Sequence, residues 1–283
     1  MNNEYFRASA EADHRKNYRK YWENIFENVF ENNFDNKIYF QCASGYVFKI
    51  CGTVFGMDIV FRTPWLKEQV KDRYFEDLKK FKYFFITHNH IDHYDKPLIS
   101  ALKDTDIVWI IPEFFSRDEV LSLGLSEEKI IWAEKDKSVE LDFGTVTPFE
   151  SRHFRPTGEG VEEYGYIFDT KEKKRIVCPG DVRRYEKDLF RDFGKIDTLI
   201  LHVWLGGKNA ENYPFEPYAS DISKFAAELK PDRIILGHLN EYVRTPDEMW
   251  SYMHAGFVSA GIKALKPDTK IYAPYTGDCE DLF

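Results

Sequence analysis

The apolar run from Tyr83 to Thr87 ("YFFIT") ends in "HNHIDH", so that His88, His90, Asp92 and His93 fall within six positions. Setting imidazoles and a carboxylate side by side inside a fold costs several kcal/mol unless a partner compensates. This cluster therefore constrains the chain more than any other feature. In a strand, residues two apart share a face, so His88 and His90 point to one spot, while Asp92 and His93 reach a neighbouring one as the backbone turns. The pattern predicts a strand delivering ligands to two adjacent metal ions. A helical HExxH site needs ligands four apart and a glutamate between them, which this segment lacks. A thiolate zinc site needs a close cysteine pair, and Cys42, Cys51, Cys178 and Cys279 supply none.

Each metal requires further ligands, and the ends of later strands offer them: His153 in "FESRHFRP", Asp181 in "IVCPGDVRR" and His238 in "IILGHLNE". Each closes an apolar strand or follows its glycine turn, so a shared sheet edge gathers them. Singly, a capped histidine, a turn aspartate and a satisfied core histidine are the commoner readings. Together with the first cluster, and in this order, the ligand reading prevails.

The run His88, His90, Asp92, His93, His153, Asp181 and His238 resembles the dinuclear ligand set of the metallo-β-lactamase superfamily. The resemblance implies an α/β fold, a four-layer αβ/βα sandwich, with His88, His90 and His153 on one metal and Asp92, His93 and His238 on the other. Asp181 would bridge, and Asp92 and Asp181 would be the catalytic carboxylates. Histidine at position 93 matches the hydrolase branch and departs from true β-lactamases, where a basic residue is usual. His90 in place of an acid, and no flavodoxin-like region downstream, depart from the diiron oxidoreductases. "KICGTVFGMDIVF" is similar to the opening of ascorbate-6-phosphate lactonase, and "HNHIDHYD" equally resembles phosphodiesterases that cleave N-acyl phosphatidylethanolamine. The downstream "HVWLGGKNAENYPF" and "GHLNEY" match neither. Asp58 occupies the place of the superfamily's first-motif aspartate and is expected to orient a ligand histidine.

Two divalent ions about 3.5 to 4 Å apart bring a shared water close to neutral pKa and polarise the bond under attack. The expected activity is hydrolysis, by metal-bound hydroxide, of a small anionic ester, lactone or phosphoester. Zinc is the expected metal, and manganese and iron accept the same donors. A lipid or nucleotide phosphodiesterase is the alternative if the helix face from Trp22 to Phe30 forms an exposed lipid dock. From another class comes a non-catalytic metal-holding sensor. No GxSxG elbow supports a serine hydrolase. Arg152 and Arg155 flank His153, and Arg183 and Arg184 follow Asp181, giving candidate anion contacts whose ordinary alternative is pairing with Glu159, Glu162 or Glu186. Arg155, two positions beyond a ligand, is the foremost of them. His202 and Trp204, ahead of Gly206 and Gly207, are candidate substrate walls, and Tyr164 and Tyr166 are candidate pocket or core residues. His14 and His254, in predicted helices, read as structural.

The rest of the chain supports a globular enzyme. Its 283 residues are 43% hydrophobic, and a net charge of -9 leaves no basic footprint for nucleic acid. A small-molecule substrate is the expected partner; a membrane is disfavoured and a homo-oligomer left open. The start "MNNEYFRASAEADHRK" lacks the apolar core of a secretory signal, so a cytoplasmic location with reduced cysteines is expected. Tyr18, Tyr21, Trp22, Ile25, Phe26, Val29 and Phe30 mark one face of a helix. Its charges, basic first and then Glu23, Glu27 and Glu31, oppose the helix dipole, so packing must hold it. Residues 1–36 are thus expected to form a helical extension and residues 37–283 the catalytic domain. Within the latter, hairpin strands are predicted at "KIYFQC", "YVFKIC" and "MDIVFR" and a helix at "WLKEQVKDRYFEDLKKF". Further strands are predicted at "IVWIIP", "KIIWA", "SVELDF", "GYIFDT", "RIVCPG", "TLILHVW" and "RIILGH", and helices near 97–102, 219–229 and 246–265.

Overall fold

The computed structural model describes residues 3–31, 35–155 and 157–283. Residues 1, 2 and 32–34 of the expected extension lie outside the described residues. In chain order the strands are β1 (Lys37–Cys42), β2 (Gly45–Ile50), β3 (Thr53–Met57), β4 (Tyr83–Phe85), β5 (Val108–Pro112), β6 (Ile130–Ala133) and β7 (Val139–Leu141). There follow β8 (Gly144–Glu150), β9 (Tyr164–Thr170), β10 (Arg175–Cys178), β11 (Thr198–His202), β12 (Arg233–Gly237), β13 (Lys270–Tyr272) and β14 (Cys279–Asp281). The helices are α1 (Asn3–Asn28), α2 (Pro64–Val70), α3 (Tyr74–Leu78), α4 (Lys96–Leu102), α5 (Arg117–Ser122), α6 (Tyr218–Leu229) and α7 (Tyr252–Leu265).

The strands form two seven-stranded sheets, ordered β14-β1-β2-β3-β4-β5-β6 and β13-β12-β11-β10-β9-β8-β7. Three buried clusters show how they stack. Phe48, Phe55, Phe85, Phe143 and Phe168 fill the space between the sheets. Trp22, Phe84 and Trp109 pack the first sheet against α1 to α5, and Leu199, Ile234, Phe225 and Val258 pack the second against α6 and α7. The result is the four-layer αβ/βα sandwich. β4 shows why its sequence is continuously apolar: Tyr83 and Phe85 face the inner cluster, while Phe84 and Ile86 face the helices. Its end delivers His88.

Local chemistry explains the departures from the predicted elements. "MDIVFR" is not a strand, because β3 ends at Met57 and Asp58 turns the chain at φ 50°. The predicted helix over 65–81 divides into α2 and α3, with Arg73 at the break paired to Asp77 and Glu23. β8 is unannounced because Pro148 interrupts its sequence. β7 pairs with β8 only as far as Val146, so Pro148 lies past β7's end, where its missing N–H removes no bond to that strand. Residues 246–248 form a 3-10 turn rather than the start of a long helix, and α7 begins at Tyr252.

α1 starts well before the predicted face. Tyr18, Trp22, Ile25, Phe26 and Val29 are all buried against the domain, so the exposed lipid dock that would favour a lipid phosphodiesterase does not exist. Glu27 and Glu31 are exposed, whereas Glu23 pairs with Arg19 and Arg73. Trp22 also donates its indole N–H to Asp77 at 2.7 Å. Trp22→Ala is expected to cost about 3–5 kcal/mol, the range for truncating a buried tryptophan. Urea unfolding measures it, and a loss below about 1 kcal/mol would contradict the packing described. His14 and His254 are buried structural groups, His14 bonded to Thr276 and Tyr242 and His254 capping α7 at Ser251. All four cysteines are free, and no described helix is long and apolar enough to cross a membrane.

Candidate metal centre

The candidate ligands meet at the carboxyl ends of β4, β10 and β12, joined by the loop after β8. β10, β11 and β12 run parallel, so the residues that follow them emerge at one edge. After β4 the chain makes a single tight turn, His93 N–H and Tyr94 N–H both donating to the His90 carbonyl at 2.9 and 2.8 Å. That turn carries Asp92 and His93 to the second position. Three overlapping groups place their donor atoms within 4.8 Å of one another: His88, His90 and His153; His88, His93 and Asp181; and Asp92, His93 and His238. His88 joins the first group to the second and His93 joins the second to the third, so Asp181, in the middle group, lies between the other two.

The Nε2 atoms of His88, His93, His153 and His238 are buried and have no hydrogen-bond partner. A single unpartnered buried nitrogen already costs about 1–3 kcal/mol, and here four converge. A cation fits this arrangement, since neutral imidazoles with ionised carboxylates are the donors it takes. Burial, helped by facing positive groups, pulls His153 down to about 3 and His88 well below the ordinary histidine range, so both rings are neutral. Burial opposes ionisation of Asp181, yet His238, Arg183 and His93 hold its carboxyl well below the carboxylate range. At His93, Asp58 and Asp181 outweigh burial and push the ring up to about 10, showing how strongly this spot attracts positive charge.

The Nδ1 atoms of His93 and His88 are braced by carboxylates. Asp58 accepts from His93 Nδ1 at 2.8 Å and from the Thr87 amide and hydroxyl at 3.0 and 2.7 Å. Glu163, fully buried, lies 3.1 Å from His88 Nδ1 and accepts from the Asp181 amide at 2.9 Å. Both oxygens of Asp181 are engaged, Oδ1 by His202 Nδ1 at 2.7 Å and Oδ2 by Arg183 at 2.8 Å. Arg244 donates to Asp92 at 2.6 Å.

Above the ligands opens a cleft of about 260 Å³, lined by His90, His153 and His238 together with Trp204, Trp250 and basic side chains. Two expected substrate residues, Arg155 and Trp204, are in its wall. Two are not. His202 is buried, bonded to Asp181 and stacked 5.2 Å from the His238 ring, because its strand position points it between the sheets rather than into the cleft. Arg152 turns away to the Leu189 carbonyl and Glu150, as alternation along an extended chain places neighbours of His153 on the other side. Of the ordinary pairings, Arg155 meets Glu159 and Arg184 meets Glu186. Tyr164 and Tyr166 are core residues, bonded to Glu113 and the Ile86 carbonyl. Glu163 and Arg244 were missed. Glu163 reads in sequence as one of two surface acids, and Arg244 stands in "EYVRTP" with no adjacent ligand.

A family model described as "Beta-lactamase superfamily domain" matches residues 53–239. The chain belongs to that superfamily. The match covers the strand-end ligands from His88 to His238, whereas α1 and the Arg244 loop lie outside it. Among curated relatives, a UPF0173 protein of Pyrococcus furiosus is 28% identical over 191 residues, covering 66% of this chain and 81% of that protein. Among solved structures, a metallo hydrolase of the archaeon Ignicoccus hospitalis superposes with a TM-score of 0.59 at 17% identity, over 87% of this chain and 97% of that one. The diiron β-hydroxylase CmlA of Streptomyces venezuelae superposes at 0.63 and 12% identity, over 88% of this chain and 55% of the hydroxylase, so the chain spans about half its length. At such identities these structures speak for the metallo-β-lactamase fold alone. Superfamily membership and the His/Asp groups together mark a divalent-metal site of the metallo-hydrolase type.

Proposed function

We propose that this protein is a hydrolase of a small anionic ester, lactone or phosphoester, working with two divalent cations, zinc first among them. The observation that carries the reading is the meeting of five histidines with Asp92 and Asp181 in three overlapping groups, four of the rings having a buried, unpartnered Nε2. His88, His90 and His153 would hold one cation, Asp92, His93 and His238 the other, with Asp181 between. Such a pair supplies an activated water near neutral pH and polarises the oxygen of the bond under attack.

The chain's own residues prepare the rest. Asp58 and Glu163 set the ring orientations of His93 and His88 through Nδ1, which keeps Nε2 aimed at the centre. Arg183 and His202 fix Asp181 from both sides. Trp204 and Trp250 wall the cleft, and Arg155, Arg183, Lys208 and Arg244 outnumber Glu159 and Glu248 there. Such a lining draws in an anion although the whole chain carries -9. The likeness of residues 49–61 to the lactonase opening supports a lactone or phosphoester within this class.

Elemental analysis of metal-intact protein is expected to find close to two divalent ions per chain. A screen of generic esters, lactones and phosphodiesters is expected to find turnover that a chelator abolishes and added metal restores. Less than one metal per chain, or turnover indifferent to chelation, rejects the reading. Two bound metals with no turnover would favour a metal-holding sensor.

A further inference from the structure

Beside the cleft lies a second cavity of about 450 Å³, and the two share a wall that includes Arg155, Arg183, Trp204 and Gly207. Resting on the hydrolase reading above, we propose that this cavity is a subsite for an oxyanion, a phosphate or carboxylate group that the substrate carries away from the bond to be cleaved.

The wall is built around guanidinium groups. Arg183 Cζ lies 4.7 Å from the centroid of the Trp204 ring, and Arg155 Cζ lies 5.7 Å from it. Arg155 also packs against the backbone of Gly207, where a Cβ would stand 2.7 Å from its Nη2. Arginine on an aromatic face is pre-organised for bidentate contact with an oxyanion, which lysine cannot reproduce.

The donors are also unspent. Arg183 is only 9% exposed in its side chain; Nη2 is committed to Asp181, and Nη1 has no hydrogen-bond partner. Arg184 Nε is likewise buried and unpartnered. An unpaired buried donor is costly, and an incoming acceptor repays that cost. The acids at the cavity edge do not fill the role. Glu159 and Glu186 pair with Arg155 and Arg184 at 3.0 and 3.3 Å, yet their side chains are 70% and 58% exposed, and ion pairs of that kind are weak enough to yield to a ligand. Asp221, the third acid there, is on α6. Arg183 lines both cavities, so an oxyanion bound to it lies close to Asp181 and the ligand cluster. That proximity requires only a short connection between the anion and the scissile bond.

The test compares wild type, Arg155→Ala and Arg155→Lys, all metal-loaded, by calorimetry with glutarate, methylphosphonate and neutral glutaramide. Arg155 touches none of the proposed ligands, so metal content is expected to stay the same. Arg155→Ala is expected to weaken at least one of the two anions tenfold or more, Arg155→Lys to restore only part of the loss, and glutaramide to show no difference. The anion that loses more identifies carboxylate or phosphate as the group held. Equal affinities of wild type and Arg155→Ala for both anions, or failure of wild type to bind either, would overturn the subsite. Absence of turnover on every ester with this anion discrimination intact would instead sink the hydrolase reading and leave the subsite standing.

Discussion

The His88→Ala, His90→Ala double variant is expected to fold, to lose metal and to fall in turnover by about a thousandfold or more. The magnitude follows from the chemistry: without the cation pair, water returns to its ordinary pKa, many units above neutral. The fold should survive because both residues follow β4 rather than belong to it, and neither belongs to the three apolar clusters. His88 also carries one of the unpartnered nitrogens, so its removal takes away an unsatisfied group together with a ring. Circular dichroism and metal analysis separate loss of the site from loss of the fold. A folded double variant with full activity would end the dinuclear mechanism.

Asp181→Ala is expected to damage the site far more than Asp58→Ala. Asp181 stands among His88, His93 and His238, and no other carboxylate occurs in the group it shares with His88 and His93. Its loss removes a donor facing both positions and leaves Arg183 and His202 without their acceptor. Asp58 acts through one ring, accepting from His93 Nδ1, and outer partners of this kind are worth about 10- to 100-fold in metal affinity or activity. Asp58→Ala should therefore retain measurable metal and turnover, while Asp181→Ala should lose about a thousandfold or more in activity and at least one metal. Asp58 additionally holds the Thr87 amide and hydroxyl, so its variant should show the larger fall in thermal stability relative to its fall in activity. Equal losses of metal and activity in the two variants would contradict this division of roles.

What could be read without coordinates was whatever depends on short spacing. The period of two in "HNHIDH" puts His88 and His90 on one side of an emerging chain, and an apolar strand ending in one polar residue marks His153, Asp181 and His238. Those signals are local, written in the alternation of side chains along a strand. The buried face of α1 was legible for the same reason, through its helical spacing from Tyr18 to Val29.

Tertiary structure decided which side chains meet across loops. Glu163 could not be told from Glu162 by sequence, because burial depends on the β8–β9 connection folding back over His88. Arg152 and Arg155 have the same chemistry and both flank His153, yet one is tied to Leu189 and the other lies near Trp204 and Gly207. His202 ends a strand just as the ligands do, but the register of β11 beside β12 turns it to Asp181 and away from the cleft. Pro148 masked β8 because a proline's fitness for a strand depends on where its neighbour stops. The sequence by itself thus determined the ligand types and their strand-end placement, since these follow from backbone periodicity. The braces, the cleft wall and the fate of each arginine were decided only in three dimensions, because they rest on through-space contacts between segments whose separation along the chain carries no periodic signal.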